Sequence, residues 1–143
     1  MNEKISIMIG GSITFASKMK EAKKVLEKFG FDVNVPLDTY HVIKEPEKKC
    51  DIKFMKKLGV GRGDAELVAK SDAFLVLNYE KNSIKGYIGS GAYRDICIAW
   101  WLKKKIFFLF PYDETQNNHK YEMLGFAPII LDGKIENINS YLL

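Results

Sequence analysis

Two apolar runs, 73–79 (AFLVLNY) and 105–110 (KIFFLF), constrain this chain more than any other feature, because neither alternates apolar with polar residues. A strand with one solvated face shows period-two alternation. A strand that is apolar throughout is covered on both faces, as in a parallel sheet sandwiched between helices. The rest of the chain supplies those helices and the remaining strands. Residues 4–9 (KISIMI) form a short β-rich run ending at Gly10-Gly11-Ser12, followed by Phe15, Met19, Ala22, Val25, Leu26 and Phe29 at helical spacing. Gly30 ends that helix, and FDVNVP is a second strand stopped by Pro36. A helix carrying Ile52, Phe54, Met55 and Leu58 runs into the loop-like GVGRG, and a second helical piece begins near Asp64. A helix over about 92–103 precedes KIFFLF, which Pro111 halts; a short helix near 121–125, the strand PIIL and a terminal helix over 135–142 complete the order. This rhythm predicts one α/β domain over 1–143: a Rossmann-like (flavodoxin-like), doubly wound, five-stranded parallel sheet in the order 2-1-3-4-5. Residues 37–51 show no period and read as a long loop, which in a compact domain is characteristically functional.

Composition narrows the partners. The 22 basic and 18 acidic residues leave a net charge of +4, which suits a small anionic ligand. The lysine runs at 48–49, 56–57 and 103–105 are scattered, so they form no footprint for a nucleic acid polymer. Cys50 and Cys97 make no CxxC or Cys/His ligand set, and His41 and His119 stand alone in loop-like segments and read as surface residues, so no disulfide scaffold or metal site is expected. No GxxxxGK[ST] is present and the GxGxxG fingerprint is incomplete, which argues against phosphate-loop NTPase chemistry and a nicotinamide cofactor; no cofactor is expected. Without a basic leader followed by an apolar run, or an apolar stretch near the ~20 residues of a membrane span, a cytoplasmic protein is expected.

The residue that packing explains least is Asp95. It lies in GYIGSGAYRDICIAWWLKKKIFFLF, where a glycine-rich approach delivers one acid to the start of an apolar helix. Burying a carboxylate there is costly unless it is paired or used. Asp64, read as opening an earlier helix, is the second acid. Gly11-Ser12, Asp64, Asn78 and Asp95 all fall at or beyond carboxyl ends of strands, where open parallel sheets bind ligands. Gly11 and Ser12 offer amides and a hydroxyl at a helix start; Arg62 adds a charge near Asp64.

These residues resemble the nucleoside 2-deoxyribosyltransferase-like family, which includes 2'-deoxynucleoside 5'-phosphate N-hydrolases. The resemblance spans nearly the whole chain: the strand-GGS-helix opening, the Asp64 to Asp72 spacing before a buried strand, NYEKNSIKGYIGSG, the acid followed by WLKKKIFFLFP, and YEMLGFAPIIL. It implies an enzyme that cleaves or transfers the N-glycosidic bond of a (deoxy)nucleoside or nucleoside 5'-monophosphate. In this family a carboxylate attacks the anomeric carbon, the base leaves, and water or a second base resolves the glycosyl ester. Asp95 matches the nucleophile position and Asp64 the second acid, which orients the sugar and manages the proton on the leaving base. Gly11, Ser12, Gly89 and Ser90 match the wall around the sugar and any 5'-phosphate. The resemblance also implies a homodimer or higher homo-oligomer, and the adjacent Trp100 and Trp101, about 100° apart on a helix, agree with an additional covering surface.

Three departures bear on activity. Asp95 replaces the family's glutamate and is shorter by about 1.5 Å of reach. Met8 stands where the family has a tyrosine in the first strand, and Tyr93 and Arg94 place bulk beside the acid. They motivate the alternative of a catalytically weakened nucleotide-binding or sensor protein of the same fold. A phosphoribohydrolase of the lysine-decarboxylase-like group is a more distant alternative, since its PGGxGTxxE motif is not matched by YIGSGAYRD.

Overall fold

The computed structural model describes residues 3–143. Five strands, β1 (Ser6–Gly10), β2 (Asp32–Asn34), β3 (Ala73–Val76), β4 (Lys105–Phe108) and β5 (Ile129–Ile130), form one sheet in the order β2-β1-β3-β4-β5. Every pairing is parallel, with Ser6 opposite Asp32, Gly10 opposite Val76, Val76 opposite Phe108, and Phe108 opposite Ile130. The order is the flavodoxin-like one predicted from the sequence.

Alternate residues of each strand enter two separate cores, which is why the central runs need no polar positions. Ile7, Ile9, Leu75 and Phe107 pack with Met19, Ala22 and Leu26 of α1 (Ala16–Lys28) and with Ile138 near the carboxyl end. Met8, Phe74, Val76, Ile106 and Phe108 face the other way. They meet Val68 of α4 (Val60–Lys70), Ala92, Ile96 and Ala99 of α5 (Ser90–Trp101), and Met123 of α6 (Lys120–Gly125). A short terminal helix, α7 (Asn139–Leu142), ends the chain.

Four expectations from the sequence are corrected. Residues 37–51 are not an irregular loop: they contain α2 (Thr39–Lys44) and a 3-10 turn, Pro46–Lys48, before α3 (Ile52–Leu58). Thr39 and Val42 are buried, so tertiary packing stabilises a six-residue helix too short to announce itself by periodicity. GVGRG is not a loop either. Gly59, in the left-handed region at φ 70°, both ends α3 and starts α4, and the following glycines are helical.

That placement moves both acids. Asp64 is the fifth residue of α4 and Asp95 the sixth of α5, so neither opens or caps its helix. Finally, His119 is not a surface residue. It is buried, with Nε2 2.8 Å from the Ile88 carbonyl and Nδ1 2.8 Å from the Tyr112 hydroxyl. Because a carbonyl only accepts, Nε2 carries the proton.

Candidate active site

A cleft of about 400 Å³ opens at the carboxyl edge of the sheet beside β1 and β3, the point where strand order reverses. Its floor and walls come from the β1 turn, the segment after β2, α4, and the start of α5.

The β1 turn is fixed by Gly11. Its φ of 133° is unfavourable for other residues, and a Cβ there would lie 2.9 Å from the Leu77 carbonyl oxygen. Ser12 follows as the cap of the next turn, its Oγ accepting from the Thr14 backbone N–H at 3.3 Å and from Lys81 Nζ at 3.0 Å. Lys81 also lies over the Tyr87 ring, 5.2 Å from its centroid, so its ammonium is held in place at the cleft wall. Gly89 starts α5 without a side-chain cap, leaving the first amides of the helix open toward the cleft beside Ser90.

Behind this wall, three side chains hold the approach to α5 in position. Gln116 accepts from the Ile88 N–H and donates to the Gly86 carbonyl, each at 2.9 Å, while His119 engages the Ile88 carbonyl. Tyr112 anchors His119 in turn, and burial, reinforced by Asp113 and Glu114, pushes its hydroxyl up to about 12.

Two buried acids also line the cleft. Asp64 is 4% and Asp95 5% exposed, and both face the cleft. Asp64 Oδ1 accepts the Leu37 backbone N–H at 2.9 Å. Burial, opposed by that hydrogen bond and reinforced by the charges of Asp95 and Asp38, raises Asp64 from 3.8 to about 6. Burial also raises Asp95, but Arg94 donates from Nε to Asp95 Oδ1 at 3.0 Å and counteracts it. Both carboxyls are thus raised by burial, Asp64 beside a backbone N–H and Asp95 beside a guanidinium.

The glycines of α4 make this arrangement possible. A Cβ on Gly63 would collide with the Leu37 side chain, and one on Gly61 would lie 3.3 Å from Arg94 Nη1. A thin stretch of helix thus lets the segment after β2 reach Asp64 and lets Arg94 fold across toward Asp95.

Of the residues singled out from sequence, Gly11, Ser12, Asp64, Gly89, Ser90 and Asp95 line this one cleft. Arg62 does not: it is exposed and lines a shallow depression beside α3 with Ile52 and Lys56. Asn78 does not either. It is fully buried, donating from Nδ2 to the Phe110 carbonyl at 2.7 Å and accepting the Phe110 N–H at 2.9 Å, so both ends of its amide tie β3 to the chain leaving β4. The cleft also contains Arg94, Lys81, Tyr87 and Asp38. Arg94 had been read only as bulk. Lys81 lies within NYEKNSIKGYIGSG, but only the reversal through Asn82 and Ser83, with φ of 53° and 63°, turns it back toward Ser12.

No protein-family model and no curated protein matches the chain. Among solved structures, the chain is similar to the CMP N-glycosidase BcmB of Clostridium botulinum, with a TM-score of 0.53 and 16% identity over 96% of each chain. At that identity the likeness is one of fold. This chain has the nucleoside 2-deoxyribosyltransferase-like fold.

Proposed function

We propose that the cleft cleaves the N-glycosidic bond of a nucleoside 5'-monophosphate, or of the corresponding nucleoside, with Asp95 as nucleophile and Asp64 as acid and base. The observation that carries this reading is the pairing of two buried carboxylates in one cleft, Asp64 accepting the Leu37 N–H and raised to about 6, Asp95 accepting from Arg94. The fold shared with a CMP N-glycosidase supports it.

In the proposed reaction, Asp95 attacks the anomeric carbon through Oδ2, since Arg94 engages Oδ1. The C–N bond breaks with its electron pair going to the base, and Asp64 supplies the proton that the base needs to leave. Water, or an acceptor base in a transfer reaction, then attacks the same carbon while Asp64 takes up the proton and Asp95 is released. Lys81, Ser12 and the open amides of α5 line the same cleft and suit a 5'-phosphate.

The reading is tested by incubating the protein with ribo- and deoxyribonucleosides and their 5'-monophosphates, with and without acceptor bases, and separating free base by chromatography. Base release supports it, and exchange into an acceptor identifies transfer. One observation favours a second reading, a nucleotide-binding protein with little turnover: Arg94 draws charge from an acid already shorter than the family's glutamate. Ligand-induced thermal stabilisation without base release would select that reading.

We also propose that the chain works as a homodimer or higher homo-oligomer. Trp100, Trp101 and Leu102 are 51%, 77% and 42% exposed at the carboxyl end of α5, the helix that carries Asp95.

A further inference from the structure

The third acid of the cleft, Asp38, has no part in the reaction above. It is 5% exposed, lines the cleft, and stands at the start of α2 without capping it. Its own backbone N–H is its hydrogen-bonding neighbour, and among the described residues no donor from any other residue reaches its carboxylate. An acceptor-only carboxylate lining the cleft, with no donor from another residue, is free to take N–H or O–H donors from a ligand. Asp64, by contrast, is engaged by Leu37, and Asp95 by Arg94.

What surrounds Asp38 indicates the donor. Pro36, two residues before Asp38, lines the cleft with Met55 and Val60, an apolar surface suited to a flat heterocycle. In the proposed reaction the sugar sits at Asp95 and the phosphate at Lys81 and the α5 amides, while Asp38, whose charge acts on Asp64, lies on the side of the acid that protonates the base.

Resting on the proposed N-glycosidase reading, we infer that Asp38 is a specificity-determining residue that selects bases carrying an exocyclic amine. A carboxylate accepts from the amine of cytosine, adenine or guanine. Facing uracil or thymine, it meets carbonyl oxygens on either side of a single N–H and repels them.

The test compares the wild-type protein with Asp38→Asn and Asp38→Ala on CMP, dCMP, UMP and dUMP, reading kcat/KM for base release and, by calorimetry, the dissociation constants of the same nucleotides. Wild type should prefer the cytosine nucleotides by about 10-fold or more. Asp38→Asn, whose amide both donates and accepts, should cut that ratio at least about 10-fold by losing on cytosine and gaining on uracil. Asp38→Ala should lose on cytosine without the gain on uracil, and circular dichroism on both variants controls for folding.

A cytosine-to-uracil ratio unchanged in both variants would overturn the inference, as would a wild type that favours uracil. If wild type releases no base, the N-glycosidase reading fails separately. The dissociation constants then decide the role of Asp38: a cytosine preference that Asp38→Asn removes supports it, and equal or absent binding of both bases refutes it.

Discussion

Asp95 and Asp64 share a cleft but not an environment, and their substitutions should separate on that account. Asp95→Asn keeps the shape and an acceptor for Arg94 while removing the charge that attacks or stabilises the sugar cation. Base release should fall by at least ~100-fold while nucleotide binding, read by calorimetry, persists. Equal rates for wild type and variant would remove Asp95 from the chemistry. Asp64→Asn should slow substrates with poor leaving bases most, because its work is on the leaving group. It should also stabilise the fold in a pH-dependent way. The carboxyl is raised from 3.8 to about 6, so the folded state holds its proton more tightly than the unfolded chain does. The wild type therefore suffers no penalty below about pH 4, and loses stability as the pH rises through about 6, by up to roughly 3 kcal/mol. The asparagine retains an oxygen for the Leu37 N–H and escapes that loss. Thermal unfolding at pH 4 and pH 8 should show the variant's advantage only at the higher pH; an equal difference at both would mean that Asp64 ionises normally.

At the scale of elements, the polar residues nearest the site are divided between chemistry and scaffolding, and Asn78 belongs to the scaffold. Asn78→Ala removes two hydrogen bonds made by a fully buried side chain and leaves the Phe110 N–H and carbonyl without them, a loss of about 2 to 4 kcal/mol. Chemical denaturation should register it, with KM for any nucleotide little changed; a large rise in KM with unaltered stability would return Asn78 to the binding site. The same division explains what could be read from sequence. The sheet was legible because AFLVLNY and KIFFLF are apolar on both faces, and only a doubly covered strand tolerates that. The start of α4 was not, because glycine is a poor helix former, and Gly61 and Gly63 are there for the close approach of Arg94 and Leu37 rather than for a turn. Asp95 stood out as an acid among apolar neighbours, and Asp64 through its spacing to Asp72 before a buried strand. Asp38 and Lys81 did not, since their placement depends on a six-residue helix and on one reversal at Asn82 and Ser83.

For the whole molecule, the sheet has two covered faces, but α5 is not fully covered along its length. Ile96 and Ala99 face the sheet, whereas Trp100 packs on Phe126, ring centroids 5.2 Å apart, and remains half-exposed, and Trp101 projects further still at 77% exposure. Neighbouring elements of the same chain therefore do not cover both rings. An exposed indole pair beside Leu102 has the aromatic composition of an interface core, and Lys103 to Lys105 supply a charged margin. The proposed oligomer should form through this end of α5. Light scattering should give a dimer or larger species for the wild type, and Trp101→Asp, which places a charge where the partner would pack, should shift it to monomer with little change in thermal stability at low concentration. Because α5 carries Asp95 and opens on the cleft at Gly89, a rigid interface at its far end would also restrain the nucleophile. Turnover per chain should then depend on protein concentration in the range where the oligomer dissociates. A wild type that is monomeric at micromolar concentration, with turnover per chain independent of concentration, would refute both the oligomer and its link to the site.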